Sequence, residues 1–174
     1  ITVKLAAGTV VGDPLLTGSD TLRGIESING TFLDDVYDAR GFTLSSAAAR
    51  SVNSGDVIAV PLPGVTLRSD AYNEFRVFGG NDTVIGNDAT RVNFSGIFVE
   101  TPGAAAPSVT ATFTSKNGGT ASYGNADGGY GTVSFSGTRS IVGSDGNDTL
   151  TGTGDYQALR GGFAESRILE VHGQ

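Results

Sequence analysis

Glycine returns at every sixth residue in two stretches of this chain, at Gly18, Gly24 and Gly30 and again at Gly131, Gly137 and Gly143. Only short pieces with strand character fit between such glycines: TLR, IESI, TVSFS, RSIV and DTL. Strands that short do not support a free-standing sheet. They make sense as stacked rungs, each turn of a coil burying a narrow core against the next. Glycine at the corners supplies the positive φ angles that tight turns need. The pattern therefore predicts an all-β chain, a parallel β-solenoid of short glycine-cornered rungs with loop insertions.

Displacing the chain against itself so that Gly18 lies over Gly131 also brings Gly24 over Gly137 and Gly30 over Gly143. Leu22 then matches Phe135, Ile28 matches Ile141, and Asp34-Asp35 match Asn147-Asp148. We read one repeat over 1–117 and a partial second copy over 118–174, forming a single solenoid unit. Two segments depart from the texture and are expected to be insertions. Residues 43–71 hold an Ala-rich stretch fit for a helical turn, followed by the proline-bounded strand VIAVPLPGV, and residues 100–108 form a loop between prolines. The alternation in VTATFTS (109–115) and TVSFSGT (132–138) predicts longer, half-buried strands. SRILEVHG near the C-terminus reads as another strand.

Composition narrows the function classes. Hydrophobic residues make up 38% of the 174 residues and glycine alone contributes 27, a turn-rich balance for one domain. The net charge is −7, and apart from Glu26, Glu74, Glu100, Glu165 and Glu170 the acids are all Asp. Asp favours turns and hard-cation coordination. Without a basic patch to neutralise phosphates, nucleic acid is not an expected partner. The absence of cysteine removes disulfides and thiolate metal sites, so an extracellular chain of this kind needs another staple, such as bound metal. No apolar run approaches the ~18 residues of a membrane span. The one histidine, His172, is expected to be a surface imidazole, and no nucleophile elbow, phosphate loop or HExxH helix occurs. The chain reads as a piece of a longer protein.

The remaining chemistry lies in FGGNDTVIGND (78–88) and VGSDGNDTLTG (142–152). Gly80-Asn81-Asp82-Thr83-Val84, Gly146-Asn147-Asp148-Thr149-Leu150 and Gly18-Ser19-Asp20-Thr21-Leu22 share a G-x-D-x-apolar core, and Asp34-Asp35-Val36-Tyr37 is a version without its glycine. These stretches resemble the glycine/aspartate nonapeptide of hemolysin-type (RTX) calcium-binding repeats. The surrounding pattern resembles the spacer modules of large secreted bacterial proteins. The resemblance implies a parallel β-roll in which successive glycine turns hold Ca²⁺ with carbonyl and carboxylate oxygens. The residues placed at such turns are Gly80, Asn81, Asp82, Asp88, Asp145, Asn147, Asp148 and Asp155, with Asp20 and Asp35 in the weaker copies. The family's sites need nonapeptides in direct tandem, whereas here the motifs stand alone or in pairs, and Ala164 occupies a position where the pattern asks for Asp. Each Asp has an alternative role, capping its own turn through backbone N–H groups.

These readings converge on a non-catalytic, secreted or cell-surface structural and adhesive module stabilised by Ca²⁺. Two alternatives keep the fold: a subunit that self-associates through solenoid ends into a filament or surface layer, and a solenoid that binds polysaccharide or ice on a flat Thr-rich face. VTATFTS gives the latter one clear T-x-T stretch, and a binding plane needs that spacing repeated on neighbouring rungs.

Overall fold

The computed structural model describes residues 1–15, 18–55, 71–97, 106–124, 130–155 and 157–161. The run VIAVPLPGV, most of 100–108, and SRILEVHG with His172 lie outside the described residues. Twelve strands form one mixed sheet. In chain order they are β1 (Thr2–Lys4), β2 (Thr9–Val11), β3 (Ser19–Thr21), β4 (Ser27–Asn29), β5 (Val36–Asp38) and β6 (Asn73–Arg76), then β7 (Asn81–Asn93), β8 (Ser108–Ser115), β9 (Gly118–Gly124), β10 (Tyr130–Val142), β11 (Thr149–Thr151) and β12 (Ala158–Arg160). No helix occurs among the described residues, and the Ala-rich segment makes only a turn, in which Ala47 N–H donates to the Leu44 carbonyl at 3.0 Å.

Two parallel ladders organise the chain. In the first, β1, β5, the start of β7 and the start of β10 stack in register through Val3, Tyr37, Val84 and Phe135. In the second, β4, β6, the end of β7, the end of β10 and β12 stack through Ile28, Phe75, Val92, Ile141 and Leu159. The long strands β7 and β10 belong to both ladders and turn a corner between them. Their pairing slips on either side of Thr138, where the corner falls. Gly137 has φ +60°, and Asp88, not a glycine, has φ 68°. A methyl group on Gly86 would strike the Gly137 carbonyl, and one on Gly137 would strike that of Gly86. Two strands can bend together here only because neither carries a side chain at the crossing.

The rest of the sheet is antiparallel except at its edge. A hairpin joins β8 to β9, β9 pairs with β10, and β11 lies parallel on β8. The two-residue turn is Lys116-Asn117, and Gly118 opens β9 opposite Ser115. Strand alternation sends Val109, Ala111, Phe113, Ala121, Tyr123, Val133 and Phe135 into the core. Aromatic rings bind the layers: Tyr37 meets Phe75 at 5.2 Å between centroids, and Phe113 meets Phe135 edge-on at 5.0 Å. Each such ring contributes ~1.5–3 kcal/mol through burial.

The internal repeat corresponds to repeated structure. With Gly18 over Gly131, β4 coincides with the end of β10, and β5 coincides with β11. The segment 78–88 differs from the short rung expected between two turns. Residues 81–88 open a 13-residue strand, and Gly86-Asn87-Asp88 is the corner inside it. Sequence alone reads glycine and Asn-Asp as an end, because local turn chemistry is the same whether a ladder stops or bends.

Candidate functional site

Three of the aspartates singled out by sequence, Asp35, Asp82 and Asp148, accept backbone N–H groups where rungs begin. Asp35 is buried. Its Oδ2 accepts the Thr31 N–H at 2.6 Å, and its Oδ1 accepts the Thr31 hydroxyl at 3.0 Å and the nitrogen of Ile1. The Ile1 nitrogen is the chain's terminal ammonium, so this contact is an ion pair and not an amide bond; Ile1 directly precedes β1, whose Thr2 pairs with Val36. One rung further on, Asp82 Oδ1 accepts the Asp35 N–H at 2.9 Å, across a registered pair. The Thr83 N–H donates back to the Asp35 carbonyl at 2.8 Å. Asp34, exposed beside it, accepts the Asn81 N–H at 2.7 Å. Each carboxylate thus ties its own rung to the adjacent rung.

The second copy repeats the device with different neighbours. Asp148 Oδ1 accepts the Ser144 hydroxyl at 2.6 Å and the Val109 N–H of the adjacent β8 at 3.0 Å. Ser144 stands where Thr31 stands in the first copy. Its hydroxyl also lies 2.6 Å from the Pro107 carbonyl and 3.3 Å from the Gly146 nitrogen. Asp145 and Asn147 are exposed next to this turn. Burial pushes the Asp148 carboxyl above the ordinary carboxylate range, and the Asp145 charge adds to the rise, although the bonds from Ser144 and Val109 oppose it.

The other predicted positions do not join these turns. Asp88 holds the corner and accepts from the Asn117 side chain at the hairpin tip. Asp155 is exposed and accepts the Thr153 hydroxyl at 3.1 Å, and Asp20 is an exposed residue of β3. The Gly80 carbonyl accepts from the Tyr123 hydroxyl at 2.8 Å and the Thr132 N–H at 3.2 Å. Asn87, at the second Gly-Asn-Asp, serves the core. Its amide donates to the Phe42 and Ala71 carbonyls, while its Oδ1 accepts from Asn73 at 2.8 Å.

Calcium takes six to eight oxygens converging on one point. Among the described residues no group of three acidic or histidine side chains is arranged to hold a metal. The carboxylates at Asp35 and Asp148 are instead engaged by N–H and O–H donors. Asp82 carries the one feature that fits a cation: its Oδ2 is buried with no hydrogen-bond partner. Burial, with the Asp35 and Asp34 charges adding to it, pushes the Asp82 carboxyl up to about 7, against the opposing bond from the Asp35 N–H.

Another surface becomes visible only from the strand registers. On the outward face of the antiparallel region, Thr149, Thr110, Ser122, Thr132 and Asn81 lie side by side on β11, β8, β9, β10 and β7. Two residues along each strand, Thr151, Thr112, Thr120, Ser134 and Thr83 form a second row. Thr132 Oγ1 donates to Asn81 Oδ1 at 3.0 Å along the first row. The T-x-T signal at 109–115 was one strand of this array. β11 adds a short T-x-T of its own, while β9 and β10 are spelled T-x-S and β7 N-x-T, which escape a search for threonine alone.

The fold and site thus define an all-β chain of stacked parallel rungs with aspartate-capped turns and a hydroxyl-bearing face. No protein-family model, curated protein or solved structure matches the chain.

Proposed function

We propose that this chain is a non-catalytic structural and adhesive module of an extracellular or surface protein, a β-solenoid whose aspartates staple successive rungs. The observation that carries the reading is that Asp82 accepts the Asp35 N–H and Asp148 accepts the Val109 N–H, each across to the neighbouring strand. A carboxylate accepting a backbone N–H makes a charge-assisted bond, roughly twice as strong as a neutral one. Spending the Asp side chains on rung-to-rung bonds serves rigidity. The cysteine-free, Asp-rich composition and the resemblance to spacer modules of secreted proteins support the setting.

A second reading adds Ca²⁺ to the same turn, favoured by the unpartnered Asp82 Oδ2 with Asp34 and Asp35 beside it. A bound cation there would neutralise the carboxylate repulsion and draw the Asp82 carboxyl back toward its ordinary range.

Hydrogen exchange of the Asp35, Thr83 and Val109 amides, in chelator and in millimolar Ca²⁺, tests both. Slow exchange in chelator is expected if the staples order the turns. Amides that exchange as freely as exposed ones until calcium is added would overturn the staple reading and establish calcium as the ordering agent.

A further inference from the structure

The two hydroxyl rows point to a ligand unrelated to the aspartate turns. We propose that the face formed by β11, β8, β9, β10 and β7 docks an extended, uncharged polysaccharide lying across the strands. This inference rests on residues distinct from the staples, so its failure leaves the module reading intact.

Three observations on the array select that occupant. First, the rows hold only Thr, Ser and Asn, in a protein of net charge −7. No charged residue in the rows can pair with a charged ligand, and the overall field repels anionic polymers, so the partner that matches is neutral. Second, hydroxyls both donate and accept, as sugar hydroxyls do, and the Thr methyls offer small apolar contacts between them. Third, the array is periodic. Neighbouring strands place equivalent side chains ~4.8 Å apart, and alternate residues along a strand lie ~6.7 Å apart. The step across strands is about the length of one pyranose ring in a linear glycan, giving one sugar per strand over five strands and two hydroxyl rows to grip it.

A single exposed hydroxyl bond contributes little net once ordering costs are counted. Such a face therefore discriminates by repetition and favours a polymer over a monosaccharide. Outward exposure of Thr110, Thr120, Ser122, Thr132 and Ser134 leaves the rows accessible, while the alternating inward residues hold them in place.

The test is retention of the full chain on microcrystalline cellulose, chitin and agarose, with soluble alginate as the anionic comparison. Retention on at least one neutral solid is expected, insensitive to added NaCl. Ser134→Lys, in the middle of the array, should weaken it by about tenfold or more, because a long charged side chain lifts the polymer off both rows. Ser134→Ala should weaken it less, and Ser46→Lys, away from the array, should leave it unchanged. Melting temperatures of all variants verify folding. No retention on any neutral solid, or retention that Ser134→Lys leaves intact, overturns the proposal. So does ice faceting, or a sedimenting dimer, that Ser134→Lys abolishes without any glycan retention. Those outcomes would assign the rows to ordered water or to a second copy of the chain.

Discussion

The turns before β5 and β11 are two answers to one sequence pattern. Both place a glycine (Gly30, Gly143) five residues ahead of an aspartate (Asp35, Asp148), with a hydroxyl residue (Thr31, Ser144) directly after the glycine. Both fold the aspartate back onto that hydroxyl, and both glycine N–H groups donate to a strand carbonyl, of Arg76 and Arg160, at 2.8 Å. Their surroundings differ. β5 lies between two parallel neighbours and its Asp is buried, whereas β11 pairs, among the described residues, with β8 alone and its Asp is half-buried. The local motif therefore fixes the loop, and the stack decides how much the loop matters.

The contrast can be broken most sharply at Asp35. Asp35→Ala would leave the part-buried Thr31 N–H and the Thr31 hydroxyl without their acceptor, at ~1–3 kcal/mol for each orphaned group. We expect a fall in denaturation midpoint corresponding to ~3 kcal/mol or more. Asp148→Ala, measured the same way, should cost ~1–3 kcal/mol, since its half-buried site lets water replace the carboxylate. Equal losses at the two positions would show that the stack does not modulate the turn.

A glycine comparison comes next. A Cβ on Gly30 would lie 2.7 Å from Asp35 Oδ2 and 2.8 Å from the Phe75 ring, while one on Gly143 would collide with the Asp148 carboxylate. Gly143→Ala should therefore destabilise chiefly by expelling Asp148, and in an Asp148→Ala background most of its cost should disappear. Gly30→Ala should keep a residual cost even beside Asp35→Ala, because the Phe75 ring remains. A double-mutant cycle at each turn measures this, with expected coupling of ~1 kcal/mol or more at Gly143.

The most specific effect concerns Asp82, which lies in the same stack but lacks the glycine-hydroxyl loop. Its carboxyl is pushed up to about 7 in the folded chain from 3.8 in the ordinary state. The folded state then holds the proton more tightly, so the stabilisation is complete below pH ~4 and is lost as the pH rises through about 7. The melting temperature should fall between pH 5 and pH 8. Asp82→Asn, which keeps the Oδ1 acceptor for the Asp35 N–H, should flatten that slope. A wild-type slope that persists in Asp82→Asn would place the titration elsewhere, and a slope removed by Ca²⁺ alone would support the cation reading.

Sequence carried the strand class and much of the local structure. The pieces read between glycines fall on β4 (IESI), on both arms of β10 (TVSFS and RSIV) and on β11 (DTL), whereas TLR meets β3 only at Thr21 and no such piece covers β5. Alternation found β8 and the start of β10. It did not reveal that β7 and β10 run through their glycines, since the Gly86–Gly137 crossing is a contact between residues far apart in sequence. Nor did it separate staple from ligand. An Asp that accepts a backbone N–H from the next rung and one that coordinates a metal follow the same short motif, and register decides between them. The hydroxyl rows were hidden for the same reason: Thr110 and Thr132 become neighbours only once Ser122 is placed between them.

The direction of the parallel ladders has a mechanical consequence. Pulled along its strands, the stack β1–β5–β7–β10 loads every backbone hydrogen bond of a rung together and resists in shear. Pulled along the stacking axis, it peels one rung at a time, and the bond from the Asp35 N–H to Asp82 bears load where a rung begins. Tension directed along the strands would therefore meet the stack in its stronger direction.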